Sequence, residues 1–243
     1  MGTLVGAGAV LAAAFVKGAI GFGFPPLATP LLALVTDVKT AVVVLIIPNI
    51  VMDGLQFVRQ GASLAIVRRL AVLLAFGAVG TVVGTRLLVF LPSRTVTLIL
   101  GGVILVFVVL NLARVAPRVP SHWERWLAPA VGLGAGLIGG ITNVPGTPLV
   151  MYFFALGMDK REFVRAVAFS FVVYKLVQLG AVAYYGLLSG PIVVASLVLT
   201  VVALGGFALG LAVQDRLDQT TLNRAVLTFL GGLGLWLTLR AAW

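Results

Sequence analysis

The feature that most constrains this chain is a series of apolar runs, most about 20 residues long, separated by short polar turns. A helix of about 20 residues crosses a hydrocarbon core of about 30 Å. The runs lack the strict alternation that marks the strands of a membrane barrel. Only 10% of the residues are charged, against roughly a quarter in soluble domains. The sequence therefore predicts an all-α polytopic membrane protein.

The runs form two similar series. Each series begins with an interrupted run, at 3–36 and 127–156. We expect each to be a broken-helix hairpin, because its second arm is only about half as long as a bilayer crossing requires. Three full helices should follow each hairpin, at about 40–58, 68–90 and 95–114 and then at about 162–185, 190–213 and 222–241. The two predicted units are residues 1–119 and 120–243, joined by a polar connection that contains Pro117.

The two interrupted runs share a motif, which indicates an internal repeat. One constant shift superimposes matching residues of the first run, Gly18, Gly21, Thr29, Pro30 and Leu31, on Gly136, Gly139, Thr147, Pro148 and Leu149. A slightly larger shift matches Asp37 to Asp159 and Gln56 to Gln178. A duplicated unit explains these matches better than two unrelated domains.

The basic residues predict how the chain crosses the membrane. The net charge is +10, but these residues stand singly at the ends of apolar runs, so we expect no nucleic-acid partner. If each hairpin returns to its starting side, only Lys39, Arg86, Arg94 and Arg240 lie opposite the basic face. The positive-inside rule favours this topology in an inner membrane, with both termini outside the cytoplasm. Three crossings per unit would make the two repeats inverted.

The Gly/Pro breaks are candidates for a substrate site. A helix that begins after Pro25 and Pro26, or after Pro145, presents free N–H groups and its positive dipole end to the gap. Inside a bilayer these groups must be satisfied, and an anion does so well. Neutral side chains add donors there, namely Thr29, Thr142, Asn143 and Thr147. The alternative is that the breaks only kink and pack helices.

Charged and amide side chains within the crossings are further candidates. They are Asn49, Asp53 and Gln56 on one helical face, Lys175 and Gln178 on the matching face of the second unit, and Lys17 before the first break. A charge inside a bilayer costs at least about 2.5 to 3.5 kcal/mol. Asp53 and Lys175 either form a structural ion pair, or Lys175 attracts an anion while Asp53 carries a proton or closes the site. Lys17 either snorkels to the surface or lines the entry.

We expect no catalytic residues, no metal site and no cofactor. The chain has no cysteine, and the single histidine, His122, lies in the longest polar connection. Gly134, Gly136 and Gly139 fit a dinucleotide-binding pattern, but no strand precedes them, and no ATPase-type phosphate loop is present.

The chain resembles the TauE/SafE family of sulfite exporter type permeases over nearly its whole length. The resemblance rests on the breaks at 18–31 and 136–149 and on the Ala-Leu-Gly-Met-Asp-Lys-Arg-Glu-Phe segment at 155–163. It implies a secondary transporter of small anions, with sulfite and organosulfonates such as sulfoacetate as associated substrates. It favours as site residues Pro25, Pro26, Thr29, Asn143, Pro145, Gly146, Thr147 and Pro148.

The leading hypothesis is therefore a permease that moves a small anion, sulfite or an organosulfonate, by alternating access between inverted repeats. The alternatives are a passive anion channel, a membrane-embedded enzyme and a membrane scaffold. The lipid bilayer is the expected environment, and a homodimer is a further prediction. The glycine pairs that suggest it, Gly80 with Gly84 and Gly206 with Gly210, equally fit packing within one chain.

Overall fold

The computed structural model describes residues 2–113 and 118–242, and all regular elements in these ranges are helices. The α-helices are α1 (Gly2–Ile20), α2 (Phe24–Ala33), α3 (Val38–Val44), α4 (Ile46–Arg59), α5 (Leu64–Phe90), α6 (Ser93–Leu112), α7 (Glu124–Thr142), α8 (Gly146–Ala155), α9 (Lys160–Tyr184), α10 (Gly190–Val213) and α11 (Gln219–Ala242). Six segments in the described ranges are long and apolar enough to cross a membrane. The all-α polytopic fold is thus confirmed, while the predicted connection around Pro117 and the predicted helix end at Arg114 lie outside the described residues.

The two short helices that follow the breaks, α2 and α8, fold back along the helices that precede them, α1 and α7. A Cβ atom added to Gly6 near the start of α1 would lie 3.0 Å from Leu32 Cδ1 near the end of α2. In the second hairpin, the hydroxyl of Tyr152 on α8 donates to the carbonyl of Glu124, the first residue of α7, at 2.8 Å. The chain therefore returns, after each break, toward the side from which it came.

The run expected as one helix over about 40–58 is instead two helices, α3 and α4, which meet at Leu45. Pro48 lies in the first turn of α4, and a proline has no N–H to donate to the carbonyl four residues earlier. That carbonyl belongs to Val44, and it accepts a 2.7 Å hydrogen bond from Ser196 Oγ of α10. Val38–Arg59 is still one candidate membrane span, but it is interrupted at Leu45, and a neighbouring hydroxyl satisfies the carbonyl that Pro48 leaves free.

Glycines allow two pairs of helices to pack at backbone distance. On α7, Gly132 lies against the carbonyl of Leu73 and Gly136 against that of Gly77, so α5 and α7 run parallel. The helices α1 and α10 are also parallel, in contact through Gly210. A side chain at these positions would separate the helices, which is why small residues mark such interfaces.

The glycine pairs that fitted either a homodimer or packing within the chain lie at these internal interfaces. Gly80 and Gly84 contact backbone of α7, and Gly206 and Gly210 contact backbone of α1. These glycines are therefore buried within one chain and give no support to a homodimer. The homodimer stays a prediction.

The charged residues divide between the two ends of the helix bundle. The arginine-rich end carries Arg59, Arg68, Arg69, Arg125, Lys160 and Arg161. There Arg69 binds the carboxylates of Glu124 and Glu162 at 2.6–3.0 Å. At the opposite end, Lys39 donates to the carbonyl of Val89 at 2.8 Å, and Arg94 donates to that of Ala241 at 2.6 Å. This is the division expected when both hairpins return, and which end faces the cytoplasm stays a prediction.

Candidate functional site

Three charged side chains are buried in the described part of the chain: Lys17, Asp53 and Lys175, each at most 1% exposed. The ammonium of Lys17 donates to Asp53 Oδ1. The interpretation in which Lys17 snorkels to the surface is therefore wrong. The predicted structural pair of Asp53 with Lys175 is also not formed, since Lys17, one helical turn before the first break, takes the place of Lys175 as the hydrogen-bonding partner.

Lys175 has a neutral partner instead of a carboxylate. Its Nζ donates to Gln178 Oε1 one turn further along α9, at 2.5 Å. The carboxylate of Asp53 instead accepts its hydrogen bond from the ammonium of Lys17. Two buried lysines thus accompany one buried carboxylate, and Lys175 has no ion-pair partner among the described residues. An uncompensated charge is costly at this depth, and a bound anion would neutralise it.

Gln56 and Gln178, matched by the internal repeat, make matching contacts in the two units. Gln56 Nε2 on α4 donates to the carbonyl of Gly21 at 2.5 Å, and Gln178 Nε2 on α9 donates to that of Gly140 at 3.1 Å. The carbonyl oxygen of Gly139, the repeat partner of Gly21, lies 3.5 Å from the same Gln178 nitrogen. Each amide therefore ties the crossing helix of its unit to the helix that ends at the break.

The two breaks differ in how the backbone turns. The first uses glycine at positive φ, 99° at Gly21 and 104° at Gly23, where a side chain would be strained. The second uses Asn143, with φ of 70°, the one non-glycine residue with positive φ in the described ranges. Asparagine tolerates this conformation better than most residues, which explains how a residue without a counterpart in the first unit can end α7.

The side chain of Asn143 connects the two hairpins. Its Nδ2 donates to Thr29 Oγ1 of α2 at 3.1 Å, and its Oδ1 lies 3.5 Å from Asn49 Nδ2 of α4. All three side chains are fully buried. Three residues predicted for the substrate site therefore form one polar cluster, with contributions from both units.

The remaining predicted break residues take two different positions. Pro26, Gly146 and Thr147 line a small cavity between the breaks, and Thr147 Oγ1 is buried there without a hydrogen-bond partner. Thr142 Oγ1 instead donates to the carbonyl of Ile138 in its own helix at 2.7 Å. Pro25 is buried at the start of α2, and Pro145 packs against Gly139.

The cavity between the breaks is too small for an anion. Its volume is about 10 Å³, which is about the room that one water molecule requires. Phe22 and Phe171 form part of its apolar wall. The Nζ atom of Lys17 lies 5.9 Å from the centre of the Phe171 ring, so the ammonium of Lys17 is near one wall of this cavity. The structure therefore holds the two breaks in contact with no space for an anion between them.

A basic vestibule leads from the arginine-rich end toward the first break. We use this name for a cavity of about 270 Å³ whose polar lining includes Gly21, Gln56, Arg59, Lys160 and Arg161. Its inner end is the hydrogen bond between Gln56 and Gly21. Sequence reasoning did not select Arg59, although its position one turn after Gln56 places both residues on one face of α4.

Comparison with known proteins agrees with this architecture. The family model described as sulfite exporter TauE/SafE matches residues 6–237. No curated protein and no solved structure shows a significant match. The family match spans both hairpins, all three buried charges and both series of crossings. The chain therefore belongs to the TauE/SafE family of membrane permeases.

Proposed function

We propose that the protein is a secondary transporter that moves small sulfur anions, sulfite or organosulfonates such as sulfoacetate, across the inner membrane by alternating access. The family supports a transport role. The chemistry of the buried residues supports an anion as the cargo. The choice of sulfur anions rests on the substrates associated with the family.

The observation that carries the proposal is the environment of Lys175. Its ammonium is 1% exposed and donates to an amide oxygen, while the nearby carboxylate of Asp53 is paired with Lys17. An anion bound beside Lys175 would balance the buried charge. The cluster of Asn49, Asn143 and Thr29, together with the free hydroxyl of Thr147, would supply neutral donors to its oxygens.

The contacts between the two repeat units support alternating access as the mechanism. The parallel pair of α1 with α10 and the parallel pair of α5 with α7 each join one helix of the first unit to one of the second. Inverted repeats that meet at a central site are a recurrent basis for alternating access. The small cavity between the breaks corresponds to an occluded state, and the basic vestibule would be the route by which an anion reaches it from the arginine-rich end.

Binding is tested by the thermal stability of the purified protein with sulfite, sulfate, sulfoacetate, acetate and chloride. A ligand that binds only the folded state adds about 2.7 kcal/mol at a hundredfold excess over Kd. We expect sulfite or sulfoacetate to stabilise the protein and Lys175→Met to abolish the effect. Lys39→Met removes the same charge at the opposite end of the bundle, where Lys39 bonds the carbonyl of Val89, and should keep it. An equal shift in Lys175→Met and in the unchanged protein would overturn the role of Lys175.

Flux separates the transporter from a passive channel. In proteoliposomes, we expect saturable uptake of labelled anion and no large uncoupled current. Currents that rise linearly with anion concentration would identify a channel instead.

Alternating access is tested with single cysteines, since the chain has none of its own. Val164→Cys places a thiol at the inner part of the vestibule, where an alternating mechanism should change its labelling rate when substrate is added. Ala62→Cys, exposed at the arginine-rich end, should be labelled at a constant rate. Substrate-independent labelling of Val164→Cys would contradict the mechanism.

A further inference from the structure

We propose that a groove at the arginine-rich end is a binding site for the phosphate headgroup of an anionic phospholipid. The groove lies between the second and third turns of α5 and the beginning of α7, and it has a volume of about 650 Å³, within the range of ligand-binding cavities. Its polar lining includes Arg68, Arg69, His122, Glu124 and Arg125. We call it the headgroup groove, and it shares no lining residue with the basic vestibule.

The ion pairs of the groove leave two guanidinium groups available. Arg69 is bound by Glu124, with its Nε and Nη2 at 2.7 and 3.0 Å from the two carboxylate oxygens, and by Glu162 at 2.6 Å. Arg68 and Arg125 form no ion pair with any described residue, and both are exposed. The carboxylates are thus committed to Arg69, and the groove presents two unpaired arginines. Such a pair suits a phosphate, which guanidinium groups bind through parallel hydrogen bonds.

The apolar part of the groove points to a lipid rather than to a free anion. Leu73 and Ala128 form its buried wall, and Val72 is 43% exposed at its side. The exposed face of α5 continues toward the opposite end with Phe76 and Val79. An acyl chain that descends from a headgroup in the groove would cover this apolar face.

The depth of the groove also suits a lipid headgroup. Trp126, 79% exposed, lies next to Arg125 in the first turn of α7, and exposed tryptophans concentrate at the membrane interface. The groove lies at the end of the bundle that is richest in arginine. Basic cavities between membrane helices on the cytoplasmic side are a recurrent location for anionic headgroups, and the positive-inside rule assigns this end to that side.

Lipid titration of the purified full-length protein tests the proposal. Thermal stability is measured in detergent with increasing phosphatidylglycerol, and in parallel with phosphatidylcholine, glycerol phosphate and inorganic phosphate. We expect phosphatidylglycerol to raise the melting temperature, and the other three additives to have at most a small effect. The double variant Arg68→Gln with Arg125→Gln should lose at least tenfold in apparent affinity for phosphatidylglycerol.

The matched control removes two arginines elsewhere. Arg216→Gln with Arg224→Gln makes the same change of charge at two other exposed residues and should keep the affinity. Native mass spectrometry provides a second readout, with fewer phosphatidylglycerol molecules retained by the groove variant than by the control. Equal affinity in the two double variants would overturn the site. A full effect of inorganic phosphate alone would also overturn it, because that result would assign the groove to a free anion.

Discussion

The ammonium of Lys17, near the end of α1, is bonded to the carboxylate of Asp53 in the middle of α4. Both side chains are 1% exposed. The ion pair connects the helix before the first break to the crossing that carries Gln56. Lys175 has no carboxylate partner, although Asp53 Oδ2 is buried without a hydrogen bond.

Removal of Lys17 alone should destabilise the protein strongly. Lys17→Met leaves the carboxylate of Asp53 buried without its hydrogen-bonding partner, and loss of one member of a buried pair costs about 3 to 5 kcal/mol. The double variant Lys17→Met with Asp53→Asn should recover part of this loss, because no buried carboxylate is left. Thermal unfolding, followed by tryptophan fluorescence, compares the stability of the unchanged protein, Lys17→Met, Asp53→Asn and the double variant. Strictly additive effects would show that the two side chains do not interact.

Asp53→Asn should abolish the pH dependence of transport. The asparagine keeps the size of the side chain but cannot take up a proton, so any proton-coupled step at this residue is lost. Transport of sulfoacetate by proteoliposomes between about pH 5 and 8 measures the effect, because this anion stays ionised over the range, whereas sulfite itself takes up a proton. Asp37→Asn is the control, since Asp37 is an exposed N-cap of α3 and asparagine caps helices equally well. A pH profile retained by Asp53→Asn would exclude Asp53 as the proton carrier.

Two substitutions at Asn143 should separate its backbone role from its side-chain role. Asn143→Gly accepts the positive φ of 70° but deletes the amide that contacts Thr29 and Asn49. We expect it to fold and to lose most of its anion affinity. Asn143→Ala adds a backbone strain of about 1 to 2 kcal/mol and should melt at a lower temperature than Asn143→Gly. Full anion affinity in a folded Asn143→Gly would remove Asn143 from the site.

Neighbouring glycines of α7 should respond in opposite ways to alanine. A Cβ at Gly136 would collide with the carbonyl of Gly77, whereas a Cβ at Gly134 would meet nothing within 4 Å. Gly136→Ala should therefore separate α5 from α7 and destabilise the protein by several kcal/mol. Gly134→Ala should leave stability unchanged or raise it by up to about 1 kcal/mol, because alanine favours the helix. The melting temperatures of the two variants check this, and similar values would contradict the close packing.

The sequence was sufficient to predict the class of fold and the approximate helices. The length and apolarity of the runs decide this, since an uncharged segment of about 20 residues has few alternatives to a membrane helix. The family could also be recognised from the repeated breaks. The exception among the helices was the run split between α3 and α4, because the sequence alone did not reveal that Ser196 would bond the carbonyl left free by Pro48.

Pairing between buried residues was decided only by the tertiary structure. The sequence identified Lys17, Asp53 and Lys175 as buried charges to be explained, but spacing along the chain cannot specify which cation reaches a carboxylate on another helix. The tertiary fold brings Lys17 of α1 to Asp53 of α4, while Lys175 bonds Gln178 one turn along its own helix. The sequence thus determined that charged side chains inside the membrane need partners, and the packing of the helices decided that Lys17 has a carboxylate partner and Lys175 an amide.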